Sequence, residues 1–277
     1  MPFTRGPLRF LTDGSPKSLA ALAQVHAYAG ALGRGTTLIL RVPRTDQPTM
    51  IEKRVAMVRK YLAPEFADLP IIGVRPAEFR PALRQAAADE GGIVALVRRS
   101  SGFGLAGSSE YERLLFDEPL PLLLIPPGSS VAPIRRVLFP ADLATRSEIL
   151  LDQTAALCAQ LGAELHLLHV YGSEPVVRSA AEQAERSALK SPYELLARDQ
   201  AAFRALHERA TAAGVTVVAG TAEGIAHTQI LAYAEKLSID LIVMASHGPR
   251  STGDIIGGTT TARVIRASRV LVLAAFV

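Results

Sequence analysis

The sequence predicts an α/β protein made of two tandem, doubly wound parallel sheets of five strands each. Short apolar runs, which are typical of buried strands, alternate with longer segments whose apolar residues recur at helical spacing. The same order of strands and helices occurs before and after a turn-rich stretch at Pro126–Pro133. Such alternation is typical of parallel strands joined by right-handed helical crossovers, so each repeat is predicted to be one doubly wound domain.

The composition indicates a packed globular protein and excludes several function classes. The chain has 277 residues, of which 49% are hydrophobic and 20% charged. The net charge is only +4 and the arginines are scattered, so we expect no nucleic-acid partner. The single cysteine, Cys158, excludes a disulfide within the chain and a cysteine zinc cluster. No apolar run approaches the roughly 20 residues that span a bilayer, and no signal-peptide pattern is found, so we expect no membrane partner and a cytoplasmic location.

The first repeat is predicted as a domain over residues 1–126. Its expected strands are Leu8–Leu11, Thr37–Val42, Ile71–Val74, Ile93–Val97 and Leu122–Ile125. Its expected helices are Leu19–Leu32, Gln47–Tyr61, Pro76–Glu90 and Gly107–Phe116. The first helix has a good N-cap in Ser15, a proline at its first position and Gly33 at its end.

The second repeat is predicted as a domain over residues 134–277. Its expected strands are Val137–Phe139, Leu165–Val170, Val215–Ala219, Leu241–Ala245 and Val270–Ala274. Its expected helices are Ser147–Leu161, Tyr193–Ala213, Ile225–Leu237 and a last one that ends at Arg266. Gly162 and Gly214 follow two of these helices, where glycine commonly ends a helix.

The strongest functional signal is the stretch Asp240–Arg263. It begins as a buried strand, continues as a loop rich in glycine and hydroxyl groups, and ends as the start of a helix. Glycine lets backbone N–H groups approach a ligand, and a helix N-terminus adds unpaired donors, so this pattern predicts an anion site. In a doubly wound sheet, ligands bind where the winding reverses, after strands one and four. In the second repeat these positions carry Asp142 and the glycine loop.

This loop resembles the nucleotide-binding signature of the universal stress protein family. The signature is Gly, two residues, Gly, nine residues, then Gly followed by Ser or Thr. Here Ala245 replaces the first glycine, Gly248 is the second, and Gly258-Thr259 is the final pair. The resemblance covers nearly the whole chain as two copies of the family's domain. It implies a Rossmann-like fold of the adenine nucleotide α-hydrolase-like type and a site for ATP with Mg²⁺.

The resemblance also implies the role of each site residue. Asp142 would bond the adenine or ribose edge, and Pro140 and Ala141 would lie beside the base. Val170 would meet the adenine through its backbone. Two residues would pack under the nucleotide, Met244 and Ala245. Four would take the phosphates: Gly248, Gly258, Thr259 and Thr260.

The first repeat departs from the signature. Asp13 matches the base-side aspartate, and Gly107-Ser108 matches the final pair. The same spacing places Val94 and Val97 where the first two glycines belong, and valine side chains there would take the space of the phosphate. We therefore predict a degenerate first repeat that binds no nucleotide, in which Asp13 forms a turn or an N-cap. Its loop Arg98–Gly104 is basic and contains glycine, so a different anion is left open.

The remaining chemistry-bearing side chains are predicted to be structural. His169 is expected to be a satisfied core histidine. His166 and His169 are three residues apart on a strand, so they face opposite sides of the sheet and cannot share a metal ion. His247 is expected to be a solvated loop residue, and Cys158 a core residue.

Three functions compete on the sequence alone. The leading one is a stress-response protein that binds ATP in its second domain and signals through contacts with unidentified proteins. The alternative is a nucleotide-independent interaction module in which Leu122–Ile125 meets Val270–Ala274, forming a pseudo-dimer within the chain, with a homodimer left open. The third is an enzyme of the same superfold, supported by analogy alone. The chain has no GxSxG, Walker A or HExxH motif, so at most slow ATP hydrolysis is expected.

Overall fold

Ten apolar runs form strands, and all ten lie in one sheet. The structure, a computed structural model, describes residues 6–42, 48–75, 77–90, 92–97, 120–126, 133–143, 145–171, 192–246 and 260–276. The strands are β1 Leu8–Thr12, β2 Thr36–Arg41, β3 Ile71–Val74, β4 Ile93–Val97, β5 Leu122–Ile125, β6 Arg136–Ala141, β7 Glu164–Tyr171, β8 Val217–Glu223, β9 Leu241–Ser246 and β10 Leu271–Phe276.

Helices connect most of these strands within the described ranges. They are α1 Pro16–Leu19, α2 Leu22–Ala31, α3 Pro48–Tyr61, α4 Phe79–Glu90, α5 Thr145–Leu161, α6 Pro192–Ala212, α7 Ala226–Lys236 and α8 Thr260–Ala267. A short 3₁₀ helix that the sequence did not predict follows α3 at Pro64–Phe66. None of the helices described by the structure is long and apolar enough to cross a membrane.

The strand order confirms the doubly wound α/β prediction. The order is β3-β2-β1-β4-β5-β10-β9-β6-β7-β8, so each half has the same order and reverses its winding between its first and fourth strands. Neighbouring strands are parallel except β5 and β10, which are antiparallel. The two predicted five-stranded sheets are therefore joined edge to edge, and their strands run in opposite directions.

The junction between the halves is apolar on both faces. Leu122, Leu123 and Leu124 pair with Ala274, Leu273 and Val272. Since these side chains are buried on both sides, each of the two large core clusters continues from one half into the other. Helices α2 and α5 also meet across the junction, where Gln160 Nε2 donates to the carbonyl of Leu32 at 2.5 Å.

Several predicted elements are confirmed and others are corrected. Strands Ile71–Val74, Ile93–Val97 and Leu122–Ile125 have the predicted bounds. The single helix predicted at Leu19–Leu32 is two helices, α1 and α2, although Ser15 caps the first as predicted by accepting from the backbone N–H of Ser18 at 3.2 Å. The predicted helix Gly107–Phe116 and residues 127–132 of the predicted linker lie outside the described residues.

The strand predicted at Val215–Ala219 lies further along the chain, as β8 over Val217–Glu223. The correction follows from sheet pairing. β8 pairs with β7 along its whole length, up to the register pair Tyr171↔Glu223, whereas the sequence shows only the apolar start of the strand.

Replacing Gly14 by alanine should destabilise the protein. Gly14 has φ +71°, and a Cβ there would lie 2.6 Å from Val58 Cγ2 and 2.9 Å from Leu40 Cδ1. The left-handed backbone alone costs a non-glycine residue about 1–2 kcal/mol, so we expect at least that loss in the free energy of unfolding, measured by urea denaturation. The matched control is Gly30→Ala in α2, where a Cβ meets nothing within 4 Å. Equal stability of the two variants would contradict this account.

Cys158 should resist thiol reagents in the folded protein. It is a free, buried cysteine that packs in the core, and burial raises the pKa of its thiol to about 12. Since the thiolate is the reactive form and a raised pKa disfavours it, little thiolate exists near pH 7. We expect an aromatic disulfide reagent to react only after urea is added. Rapid reaction without denaturant would show that α5 opens readily.

Candidate functional site

A crevice opens where the winding of the second half reverses. β6 and β9 are in register only at Val137↔Leu241 and Leu138↔Ile242. Both strands continue beyond these pairs, and each remains paired with its other neighbour, β7 or β10. The carboxyl-terminal ends of β6 and β9 therefore diverge, which is the usual place for a ligand in a doubly wound sheet.

One wall of the crevice is the turn after β6. Pro140 and Ala141 end the strand, and the half-buried Asp142 follows it. The buried Ser147, in the first turn of α5, donates its hydroxyl to Asp142 Oδ1. The next residue, Leu143, takes a left-handed conformation with φ 60°, which is disfavoured for leucine. Local hydrogen bonding and packing thus hold a strained turn that carries a carboxylate.

The neighbouring strand, β7, contributes two residues at the same edge. Val170 is half-buried, with its side chain on the face that packs against α7. His169 lies on the opposite face, where its Nδ1 donates to the carbonyl of Ala141 at 3.1 Å and its ring lies 6.0 Å from that of Phe203 in α6. His166 contacts Tyr233 of α7 instead, so the prediction that the two histidines face opposite sides is confirmed.

The other wall is formed by β9 and the start of α8. Met244 is buried and Ala245 is half-buried. The hydroxyl of Thr261, in the first turn of α8, donates to the carbonyl of Ala245 at 2.9 Å. This bond joins residues 16 positions apart, so it ties the end of β9 to the start of α8 across the glycine loop. Thr260, the first residue of α8, is therefore held near the end of β9.

Seven of the ten predicted site residues lie on elements that meet at this edge of the sheet. They are Pro140, Ala141, Asp142, Val170, Met244, Ala245 and Thr260. The other three, Gly248, Gly258 and Thr259, lie outside the described residues, as does His247. The described residues provide a carboxylate, threonine hydroxyls and a helix start, which suit the hydroxyl and phosphate groups of a nucleotide. Their roles as ligand contacts remain predictions.

The register corrects the alignment of the first half. Leu8↔Ile93 in the first half corresponds to Val137↔Leu241 in the second, because Leu8 precedes Asp13 by as many residues as Val137 precedes Asp142. Val97 is then the counterpart of Ala245, while Val94 is the second residue of β4 and is 1% exposed.

The prediction that Val94 stands at the first glycine is therefore wrong. The spacing was counted back from Gly107, which assumes loops of equal length in the two halves, and the register does not support that assumption. A valine, Val97, still stands where the second half has Ala245. The positions counted on from it lie outside the described residues.

Asp13 forms a turn, as predicted. Its Oδ1 accepts from the backbone N–H of Ser15 at 2.9 Å. Its backbone carbonyl accepts from Arg54 Nη2 at 3.3 Å, so a guanidinium group of α3 lies over this turn. The loop after the first strand of the first half thus has partners in its own half.

Sequence reasoning missed Ser147 and Thr261 and took His169 to be a satisfied core histidine. His169 is buried, but within the described part of the chain its Nε2 has no hydrogen-bond partner. A signal for Ser147 did exist, since it follows Asp142 at the same distance as Ser18 follows Asp13. Nothing local distinguishes Thr261 from its threonine neighbours, because its partner is a backbone carbonyl on another element.

Comparison with known proteins agrees with this architecture. "Universal stress protein A homolog 1" of Coxiella burnetii is 27% identical over 138 residues, covering 46% of this chain and 87% of the relative. A universal stress protein structure from Archaeoglobus fulgidus DSM 4304 is 21% identical with a TM-score of 0.63, covering 99% of this chain and 96% of its own. A functionally unknown protein of Pseudomonas aeruginosa PAO1 is 15% identical with a TM-score of 0.59, covering 99% of this chain and 94% of its own.

These two structures share the fold over both halves. The family model for the universal stress protein family matches residues 133–275, which is more than half of the 277 residues and contains the whole candidate site. It does not extend into the first half. The chain belongs to the universal stress protein family.

Proposed function

We propose that the second half binds ATP, with Mg²⁺, in the crevice between the carboxyl-terminal ends of β6 and β9. The observation that carries this proposal is the divergence of the two strands beyond Leu138 and Ile242, beside the turn that holds Asp142. In the family's signature the glycine loop supplies the phosphate contacts, and in this chain that loop connects β9 to α8. Binding would change contacts with other proteins in a stress response, in the cytoplasm.

Four of the described site residues have a clear physical reason to contact a nucleotide. The carboxylate of Asp142 suits the hydroxyl or amino donors of the ribose and base. The buried Met244 and the half-buried Ala245 provide apolar surface under the nucleotide. Thr260 opens α8, whose N-terminal amides favour phosphate oxygens.

Magnesium would come with the nucleotide. Mg²⁺ usually keeps several waters and binds through substrate phosphates together with one or two protein oxygens. Such an ion needs no cluster of protein ligands, and the described residues contain no group of three metal-ligating side chains. The hydroxyl of Thr259 is the proposed protein oxygen.

The second candidate is a nucleotide-independent interaction module. The antiparallel pairing of β5 with β10 favours it, because the two halves are related as two subunits would be, with apolar clusters shared across the junction. In this alternative the chain is a pseudo-dimer, with domains over residues 1–126 and 134–277, and it acts through its surface alone. The two candidates differ in one property, which is nucleotide binding.

The purified protein should be stabilised by ATP with Mg²⁺. A ligand at about 100 times its dissociation constant adds roughly 2.7 kcal/mol to the free energy of unfolding, which raises the melting temperature of a domain by several degrees. The measurement is thermal unfolding with millimolar MgATP, together with mass spectrometry of small molecules released on denaturation. No shift and no released adenine nucleotide would exclude ATP binding and favour the interaction module. Rapid release of phosphate would indicate an enzyme instead.

The substitution Ala245→Val should remove this stabilisation. It gives the second half the residue that the first half has at the equivalent position, Val97, and adds bulk under the proposed nucleotide. The matched control is Val97→Ala, which should leave the MgATP shift unchanged because the first half is not expected to bind. Both variants should keep the circular dichroism spectrum of the wild type. An unchanged shift in Ala245→Val would refute the proposed position of the nucleotide.

A further inference from the structure

The turn after β6 is held by different bonds from the equivalent turn after β1. The register pairs Thr12↔Leu40 and Ala141↔His169 occupy the same place in the two halves. Ala141 is therefore the counterpart of Thr12, and His169 is the counterpart of Leu40. The two halves allow a comparison of how one chain fixes the same turn in two ways.

The turn in the first half is held by bonds among its own residues and by Arg54 of α3. The backbone N–H of Gly14 donates to Thr12 Oγ1 at 3.0 Å. Gly14 adopts its left-handed conformation without steric cost, and the apolar side chain of Leu40 packs closely against it. At this position of the second strand, leucine is thus sufficient for the fold.

The turn in the second half has neither the threonine hydrogen bond nor the left-handed glycine. Ala141 has no hydroxyl group, so the bond made by Thr12 cannot form there. Leucine replaces glycine at the left-handed position, as Leu143 with φ 60°. In place of leucine, the second strand carries His169, whose Nδ1 lies 3.1 Å from the carbonyl oxygen of Ala141. A carbonyl oxygen can only accept, so Nδ1 carries the hydrogen.

The burial of His169 argues against a simple packing role. The residue is only 9% exposed, and its Nε2 has no hydrogen-bond partner in the described ranges. A buried polar atom without a partner destabilises a fold, and the counterpart Leu40 fills the same position without that cost. The feature of His169 that leucine lacks is the N–H donor to Ala141.

We propose that His169 is a positioning residue of the candidate nucleotide site. By holding the carbonyl of Ala141, it fixes the turn that carries Asp142, while Ser147 fixes the carboxylate itself. Binding groups have to be held to within about 0.5 Å by supporting contacts, and a strained turn needs such support. This inference rests on the proposed function and adds the residue that pre-organises its carboxylate side.

Three variants at this position distinguish the role of Nδ1 from that of Nε2. In His169→Asn, the side-chain amide can place an N–H where Nδ1 stands. In His169→Gln, the amide reaches the position of Nε2, and His169→Leu copies the first half. The measurement is the dissociation constant for MgATP by calorimetry, with thermal unfolding of each variant in parallel. His169→Leu and His169→Gln should weaken binding about tenfold, the usual size of such orienting contacts, whereas His169→Asn should stay close to wild type.

The control is His166→Asn, on the same strand but on the opposite face of the sheet, which should leave the affinity unchanged. Rescue by glutamine and not by asparagine would overturn the inference, since Nε2 would then contact the ligand directly. Unchanged affinity in all three variants, or an equal loss in His166→Asn, would also overturn it. If the wild type does not bind MgATP, the proposed function fails and the inference fails with it. If the wild type binds MgATP, the variants at His169 test the inference alone.

Discussion

The antiparallel pairing of β5 with β10 is the interaction on which the rest of the architecture depends. Each of these strands would otherwise be the edge of a five-stranded sheet, with a row of unpaired N–H and C=O groups between apolar faces. Pairing satisfies these groups and lets the clusters around Leu123 and Leu273 merge into continuous cores. Because strands are parallel within each half, the antiparallel junction also puts the carboxyl-terminal ends of the strands of one half at the opposite edge of the sheet from those of the other half.

This geometry separates the turn that carries Asp13 from the turn that carries Asp142. The turn at Asp13 opens at one edge of the sheet and the turn at Asp142 at the other. In the part of the chain that the structure describes, the candidate site of the second half is built from β6, β7, β9, α5 and α8. Two hydrogen bonds between distant residues join these elements. Thr261 donates to the carbonyl of Ala245, and His169 donates to the carbonyl of Ala141.

The two halves show how one scaffold can be specialised. In the first half, α3 packs Arg54 and Val58 over the turn at Gly14, and a small apolar cluster fills the space beside it. In the second half, the corresponding turn contains a strained leucine and is supported by polar side chains from α5 and β7. In the second half, the hydroxyl of Ser147 donates to the carboxylate of Asp142 and so fixes its direction. A fixed carboxylate is what the proposed binding site of the second half would require.

The sequence by itself determined the alternation of strands and helices, the doubly wound class and the approximate place of the site. These follow from local periodicity, glycine positions and the general rule for switch points. Only the tertiary structure decided that the halves share one sheet, that Val97 rather than Val94 corresponds to Ala245, and that His169 and Ser147 form hydrogen bonds to Ala141 and Asp142. The physical reason is range: apolar periodicity is set by neighbouring residues, but strand register and hydrogen bonds between residues 16 or 28 positions apart depend on how distant segments meet.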